Sequence, residues 1–183
     1  MAMQITLSQQ AAPEQWGKNA ILSANEQGMT IHLQKDPLTT IQRAARKIKN
    51  QGILNAVLTG LDWGLEECWA FHQGFISVRN TGTVSYPDLA EQQAEFDARV
   101  HCSSFTRSLI NESSETLTPE NLAQKAAEFI TKQSERYLGK NAVSAEIISG
   151  EALKQQGYHG IWTVGKGSVN KPNIAQIGFQ SKR

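Results

Sequence analysis

Hydrophobic positions along this chain recur with two periods, and the alternation between them outlines the fold. "QITLS" at 4–8 has the period of two of a strand. "AILSA" and "MTIHL" flank "NEQG", so 20–33 reads as strand, turn and strand with Gly28 in the turn. A helical period follows from Asp36-Pro37 to about Asn50, with Leu38, Ile41, Ala45 and Ile48 on one stripe and Gly52 just beyond its end. "ILNAVLTG" at 53–60 is apolar enough for a buried strand. A second helix is predicted from Asp62, as N-cap, to about Gly74, with Leu65 and Trp69 on its apolar face and Ile76 beyond it. The short strand "TVSYP" ends this half.

Pro87-Asp88 begins a long predicted helix to about Leu109, with Leu89, Phe96, Val100 and Phe105 buried. Thr118 then caps another helix, with Pro119 in its first turn, Glu120 favourable to the dipole, Leu122, Ala126, Phe129 and Ile130 inward, and Gly139 at its end. "AVSAEIIS" at 142–149 reads as a strand, 150–156 as a short helix, and "NIAQIGFQ" at 173–180 as a last strand. Strands interleaved with helices define an α/β class: an N-terminal mixed sheet with packed helices, a long helix, and the first β-α elements of a second α/β domain.

Composition narrows the function classes. With 18 basic and 17 acidic side chains among 183 residues, no global field marks a nucleic-acid or membrane binder. Cys68 and Cys102 are the only cysteines and share no C-x-x-C spacing, which argues against a disulfide framework or a zinc knuckle. "MAMQITLSQQ" lacks a leader pattern, and no run approaches the roughly 20 apolar residues of a membrane span. The expectation is a soluble cytoplasmic protein.

Four constellations are candidates for chemistry. In "GIWTVGKGS", Gly160, Gly165 and Lys166 stand at the spacing of a phosphate-binding loop, but Gly167 occupies the hydroxyl position and Pro172 forces extended chain where a helix should follow. A glycine turn is the better reading. The helix at 41–49 carries Arg43, Arg46, Lys47 and Lys49 largely opposite its apolar stripe, a face that could neutralise phosphates or simply be solvated. Cys68 with His72 has i,i+4 spacing and His101 adjoins Cys102, yet no third metal ligand accompanies either pair, so packed side chains are favoured. Trp63, Trp69, Phe71 and Phe75 read as core rather than as a ligand pocket.

The order of several longer stretches is more specific than any of these. "IQRAARKI" at 41–48, "CWAFHQGF" at 68–75, "YPDL" at 86–89, "TRSLINESSETLTPENLAQ" at 106–124 and "GEALKQQGYHGIWTVGKGSVNKP" at 150–172 together resemble the N-terminal portion of bacterial aminopeptidases of the leucine aminopeptidase family. The resemblance implies an N-terminal α/β domain over 1–87, a linker helix over 88–111 and the start of the catalytic domain over 112–183. For the intact enzyme it implies a cytosolic homohexamer that removes N-terminal residues from peptides using two divalent metal ions, manganese or zinc. Ser113 departs from the family, which usually has proline there.

Family metal ligands lie in stretches of the "KGITFDSGG" and "NTDAEGR" kinds, which are absent here and would lie beyond Arg183. The residues agree on chemical grounds: a dinuclear site needs clustered carboxylates, and no aspartate follows Asp97. Glu112, Glu115, Glu120, Glu128, Glu135, Glu146 and Glu151 are scattered, and Lys166 has no aspartate after it to complete a ligand stretch. The expectation is therefore a chain with no catalytic, cofactor-binding or metal residue of its own, serving assembly and substrate access in the intact enzyme. The alternative is a stand-alone module that binds nucleic acid through the basic helix.

Overall fold

The computed structural model describes residues 2–77 and 82–180. The chain forms two compact units, Met1–Ser103 and Ser104–Arg183. In the first, β1 (Met3–Ser8), β2 (Leu22–Asn25), β3 (Gly28–His32), β4 (Asn55–Leu58) and β5 (Thr83–Ser85) form one sheet in the order β2-β3-β1-β4-β5. Only β2 runs antiparallel to its neighbour. Helices α1 (Pro37–Asn50) and α2 (Leu65–Phe75) connect β3 to β4 and β4 to β5. Both connections advance the same way along the sheet, so right-handed crossovers put both helices on one face.

Register explains which face. Ile5 pairs with Met29 and Leu58, and these side chains join Ile31, Ala56 and the helix stripe in the core. The other face carries Gln4, Thr6, Ser23, Thr30 and Val57. On α1 the buried stripe is Ile41, Ala44, Ala45 and Ile48, packed against Cys68, Phe71 and Phe75 of α2. The helices approach so closely at Gly74 that a Cβ there would run into the Gln42 carbonyl and the Ala45 methyl.

Several expected details shift for identifiable reasons. Leu38 is exposed and Thr40 is buried instead, its hydroxyl donating to the Asp36 carbonyl at 2.7 Å. Helix α2 starts at Leu65, not Asp62, because buried Trp63 donates its indole N–H to Thr59 O at 3.1 Å and holds the preceding residues in a turn. Gly64 is the N-cap, its N–H donating to the Glu67 carboxylate at 3.2 Å. The long helix α3 (Gln93–Ile110) begins later than Pro87-Asp88. Ala90 has φ +49° and opens a 3₁₀ turn over Ala90–Gln92, which delays the regular α-helix. Leu89 and Phe96 are buried as expected.

In the second unit, α4 (Pro119–Leu138) is capped by Thr118, whose hydroxyl accepts from Asn121 N at 3.2 Å. Its most buried positions are Ala123, Ala127 and Ser134, while Leu122, expected inward, is exposed. Small residues face the sheet here because α4 lies directly on the antiparallel pair β6 (Val143–Ser149) and β7 (Asn173–Phe179). Phe129 stacks on Phe105 with centroids 4.0 Å apart. Two short helices, α5 (Glu151–Gln155) and α6 (His159–Gly165), connect the strands.

Candidate functional site

The glycine-rich stretch is where the structure departs most from the sequence reading. Residues 159–165 are helical, so "GIWTVGKGS" is the end of a helix rather than a glycine turn throughout. A phosphate loop leaves a strand and enters a helix; this segment leaves α6 and enters β7. Gly165 is needed for packing: a Cβ there would overlap the Pro172 ring. Lys166 Nζ lies 5.3 Å from the Trp162 ring centroid and Lys154 Nζ lies 4.7 Å from it, while the indole N–H donates to Glu151 at 3.1 Å. The lysine thus sits against an aromatic face. Beside it, Pro119, Gly160, Ile161, Val164 and Asn173 line an open groove of 430 Å³.

The basic helix loses one of its four members. Arg43, Arg46 and Lys47 are exposed, but Lys49 is buried, with its ammonium 5.0 Å from the Phe75 centroid and without a hydrogen-bond acceptor among the described residues. Burial holds its pKa below the ordinary value.

The two cysteine–histidine pairs sit in different surroundings, Cys68 buried and Cys102 exposed. Cys68 is fully buried, and burial, with Glu67 adding a smaller effect, pushes its thiol up to about 12. His72 Nδ1 shares a 2.8 Å hydrogen bond with the Tyr86 hydroxyl, and its ring stacks on Trp69 at 5.5 Å. Burial also raises the Tyr86 phenol, which stays protonated. His101 Nδ1 donates to Asp97 O at 2.7 Å along α3. Trp63, Phe71 and Phe75 form a core run, with Trp63 edge-on to Phe71 at 5.7 Å and Phe71 stacked on Phe75 at 5.3 Å.

Among the described residues no group of three or more His, Cys, Asp or Glu side chains is gathered to hold a metal. Three glutamates of the second unit have separate engagements: Glu112 pairs with Lys125 at 2.5 Å, Glu128 accepts from Gln124 at 3.0 Å, and Glu151 accepts from Trp162. This donor set does not fit a dinuclear metal centre. No helix among the described residues is long and apolar enough to cross a membrane.

One constellation escaped the sequence reading. His32, buried on the face of the sheet away from the helices, lies between Ser23 Oγ, 2.8 Å from Nε2, and the Gln10 carbonyl, 2.8 Å from Nδ1. Alternation places Ser23, Thr30 and His32 on one face, but the third partner is a main-chain atom and leaves no trace in side-chain pattern.

The class of protein follows from comparison across both units. Residues 4–90 match a family described as Peptidase, and residues 104–183 match the Cytosol aminopeptidase family, catalytic domain. The chain superposes on the apo leucyl aminopeptidase from Trypanosoma cruzi with TM-score 0.60 at 14% identity, covering 100% of this chain and 46% of that one. Bottromycin maturation enzyme BotP in complex with Mn gives 0.58 at 16%, covering 97% and 45%. The α/β architecture is therefore that of these two structures. Sequence is more specific: the chain is 50% identical over 181 residues to Putative peptidase B of Haemophilus influenzae and 50% identical to Peptidase B of Pasteurella multocida. It covers 97% and 98% of itself in these matches and spans 42% of the length of each relative. This homology places the chain with the peptidase B members of the cytosol aminopeptidase family, as the counterpart of their N-terminal part.

Proposed function

We propose that this chain is the N-terminal part of a metal-dependent aminopeptidase that, intact, hydrolyses N-terminal residues from peptides, and that the 183 residues alone do not turn substrate over. The observation that supports the reading is the 50% identity over 97–98% of this chain, which spans 42% of each relative, taken with the lack of any group of three or more metal-ligating side chains among the described residues. In this reading 1–87 is a folded accessory domain, 88–111 links it onward, and 112–183 begins the catalytic domain. Assembly into a homohexamer, control of substrate access, manganese or zinc as the metal, and a cytoplasmic setting belong to the same proposal. The nucleic-acid module is the weaker reading, since burial of Lys49 leaves only Arg43, Arg46 and Lys47 on the basic face.

The test is release of leucine from a leucyl anilide, with and without manganese, by purified 1–183 and by a longer product that includes a peptidase B metal-ligand region. A mock purification controls for host peptidases. Turnover by the longer product alone is expected. Manganese-dependent turnover that co-elutes with 1–183 and exceeds the mock would mean the metal site has been misplaced.

A further inference from the structure

The Ser23–His32–Gln10 arrangement has a defined protonation pattern. A carbonyl oxygen only accepts, so the 2.8 Å contact between Gln10 O and Nδ1 requires the proton on Nδ1. In the singly protonated ring Nε2 is then the acceptor, and the Ser23 hydroxyl, 2.8 Å away, donates to it. A serine hydroxyl in hydrogen-bond contact with an imidazole that is oriented from behind is the nucleophile–base pairing of an activated serine. His32 is only 6% exposed, whereas Ser23, on the edge strand β2, is half-buried, so the base is more shielded than the serine. The site lies at the C-terminal ends of the parallel strands β1 and β3, where His32 pairs with Ser8, the end at which open α/β sheets place ligands. Thr30 stands directly across the ladder from Ser23 and Thr6 across from Thr30. Their hydroxyls, 3.1 Å apart, make the adjoining surface polar and uncharged.

We propose that Ser23 is a nucleophilic serine, with His32 as its general base and the Gln10 carbonyl as the positioning group, and that it accepts acyl groups from small uncharged esters. Ser23 Oγ forms a bond to the ester carbonyl carbon as its proton passes to His32 Nε2. The ester C–O bond breaks, and the leaving alcohol takes that proton. Water then attacks the acyl-serine, giving one proton to Nε2, which returns it to Ser23 Oγ as the carboxylic acid departs. No metal takes part, so the activity is distinct from the aminopeptidase reaction.

The experiment exposes the full 183-residue chain to an alkyl fluorophosphonate in the presence of a chelator and maps the adduct by peptide mass. One adduct at Ser23 is expected, with loss of fluoride, and it should disappear in Ser23→Ala and when the chain is unfolded in urea before exposure. In a folded His32→Gln variant, verified by circular dichroism, labelling should slow by roughly 100-fold or more. Absence of an adduct at Ser23 overturns the proposal. So does labelling of Ser23 that persists in urea, or equal labelling of a folded His32→Gln chain. If His32→Gln does not fold, the decision rests on the parent chain and Ser23→Ala, whose smaller change leaves the His32 contact to Gln10 in place.

Discussion

The ammonium of Lys49 lies 5.0 Å from the centre of the Phe75 ring, buried and with no hydrogen-bond acceptor among the described residues. A cation–π contact offsets part of the lost hydration, but a buried cation with no acceptor among the described residues remains a net cost. Lys49→Met keeps the stem's packing and removes the charge, so it should stabilise the chain by roughly 1–3 kcal/mol. Lys47→Met, on an exposed neighbour, should change stability by no more than about 0.5 kcal/mol. Urea denaturation of the two variants checks this, and equal effects would contradict it.

The same residue sets a pH dependence. Its folded pKa lies below the ordinary 10.5, so between the two values the unfolded chain binds more protons than the folded one. Stability should therefore rise with pH through that window, and the cost should be fully present below it. Lys49→Met should remove this rise. A wild-type melting temperature whose alkaline slope equals that of Lys49→Met would show that Lys49 is not the source.

Cys68 and Cys102 should differ sharply toward thiol reagents. Cys102 is exposed, whereas Cys68 is buried with its thiol pushed up to about 12. Ellman's reagent should titrate one equivalent rapidly in the native chain and a second only after denaturant is added. Rapid loss of both thiols in the native chain would contradict the burial of Cys68.

Gly165→Ala should destabilise the second unit, because the new methyl meets the Pro172 ring. Overpacking of this kind costs about 1–3 kcal/mol. Gly160→Ala provides the contrast, since nothing lies within 4 Å of a Cβ there. Hydrogen exchange at β6 and β7 should report the difference, with faster exchange in Gly165→Ala only.

Elements with a strong local signature were legible in advance. The Asp36-Pro37 pair and the Thr118 cap with Pro119 behind it marked two helix starts that the structure places where expected. The α/β order was likewise readable from alternating periods. What could not be read depended on tertiary contact. Trp63 reaching back to Thr59 moves the start of α2, and a positive φ at Ala90 moves the start of α3. Lys49 follows a basic run and looks solvated by pattern, yet the close approach of α1 and α2 leaves it inside. At 160–168 the glycines suggested a turn because their spacing reveals nothing of the Pro172 ring that requires one of them. The candidate serine site was invisible for a simpler reason, since a backbone carbonyl has no letter.

Helix α6 leaves Ile161 and Val164 in water beside the groove, and Val169 follows fully exposed. Apolar side chains gathered this way govern colloidal behaviour as much as fold. Salts that strengthen apolar association, such as sulfate, should lower the solubility of the 183-residue chain by promoting contacts at this surface, and changing Val164 and Val169 to serine should raise the concentration at which it stays clear. On this prediction a few valines, next to a stretch first noticed for its glycines, contribute to the concentration limit of the chain.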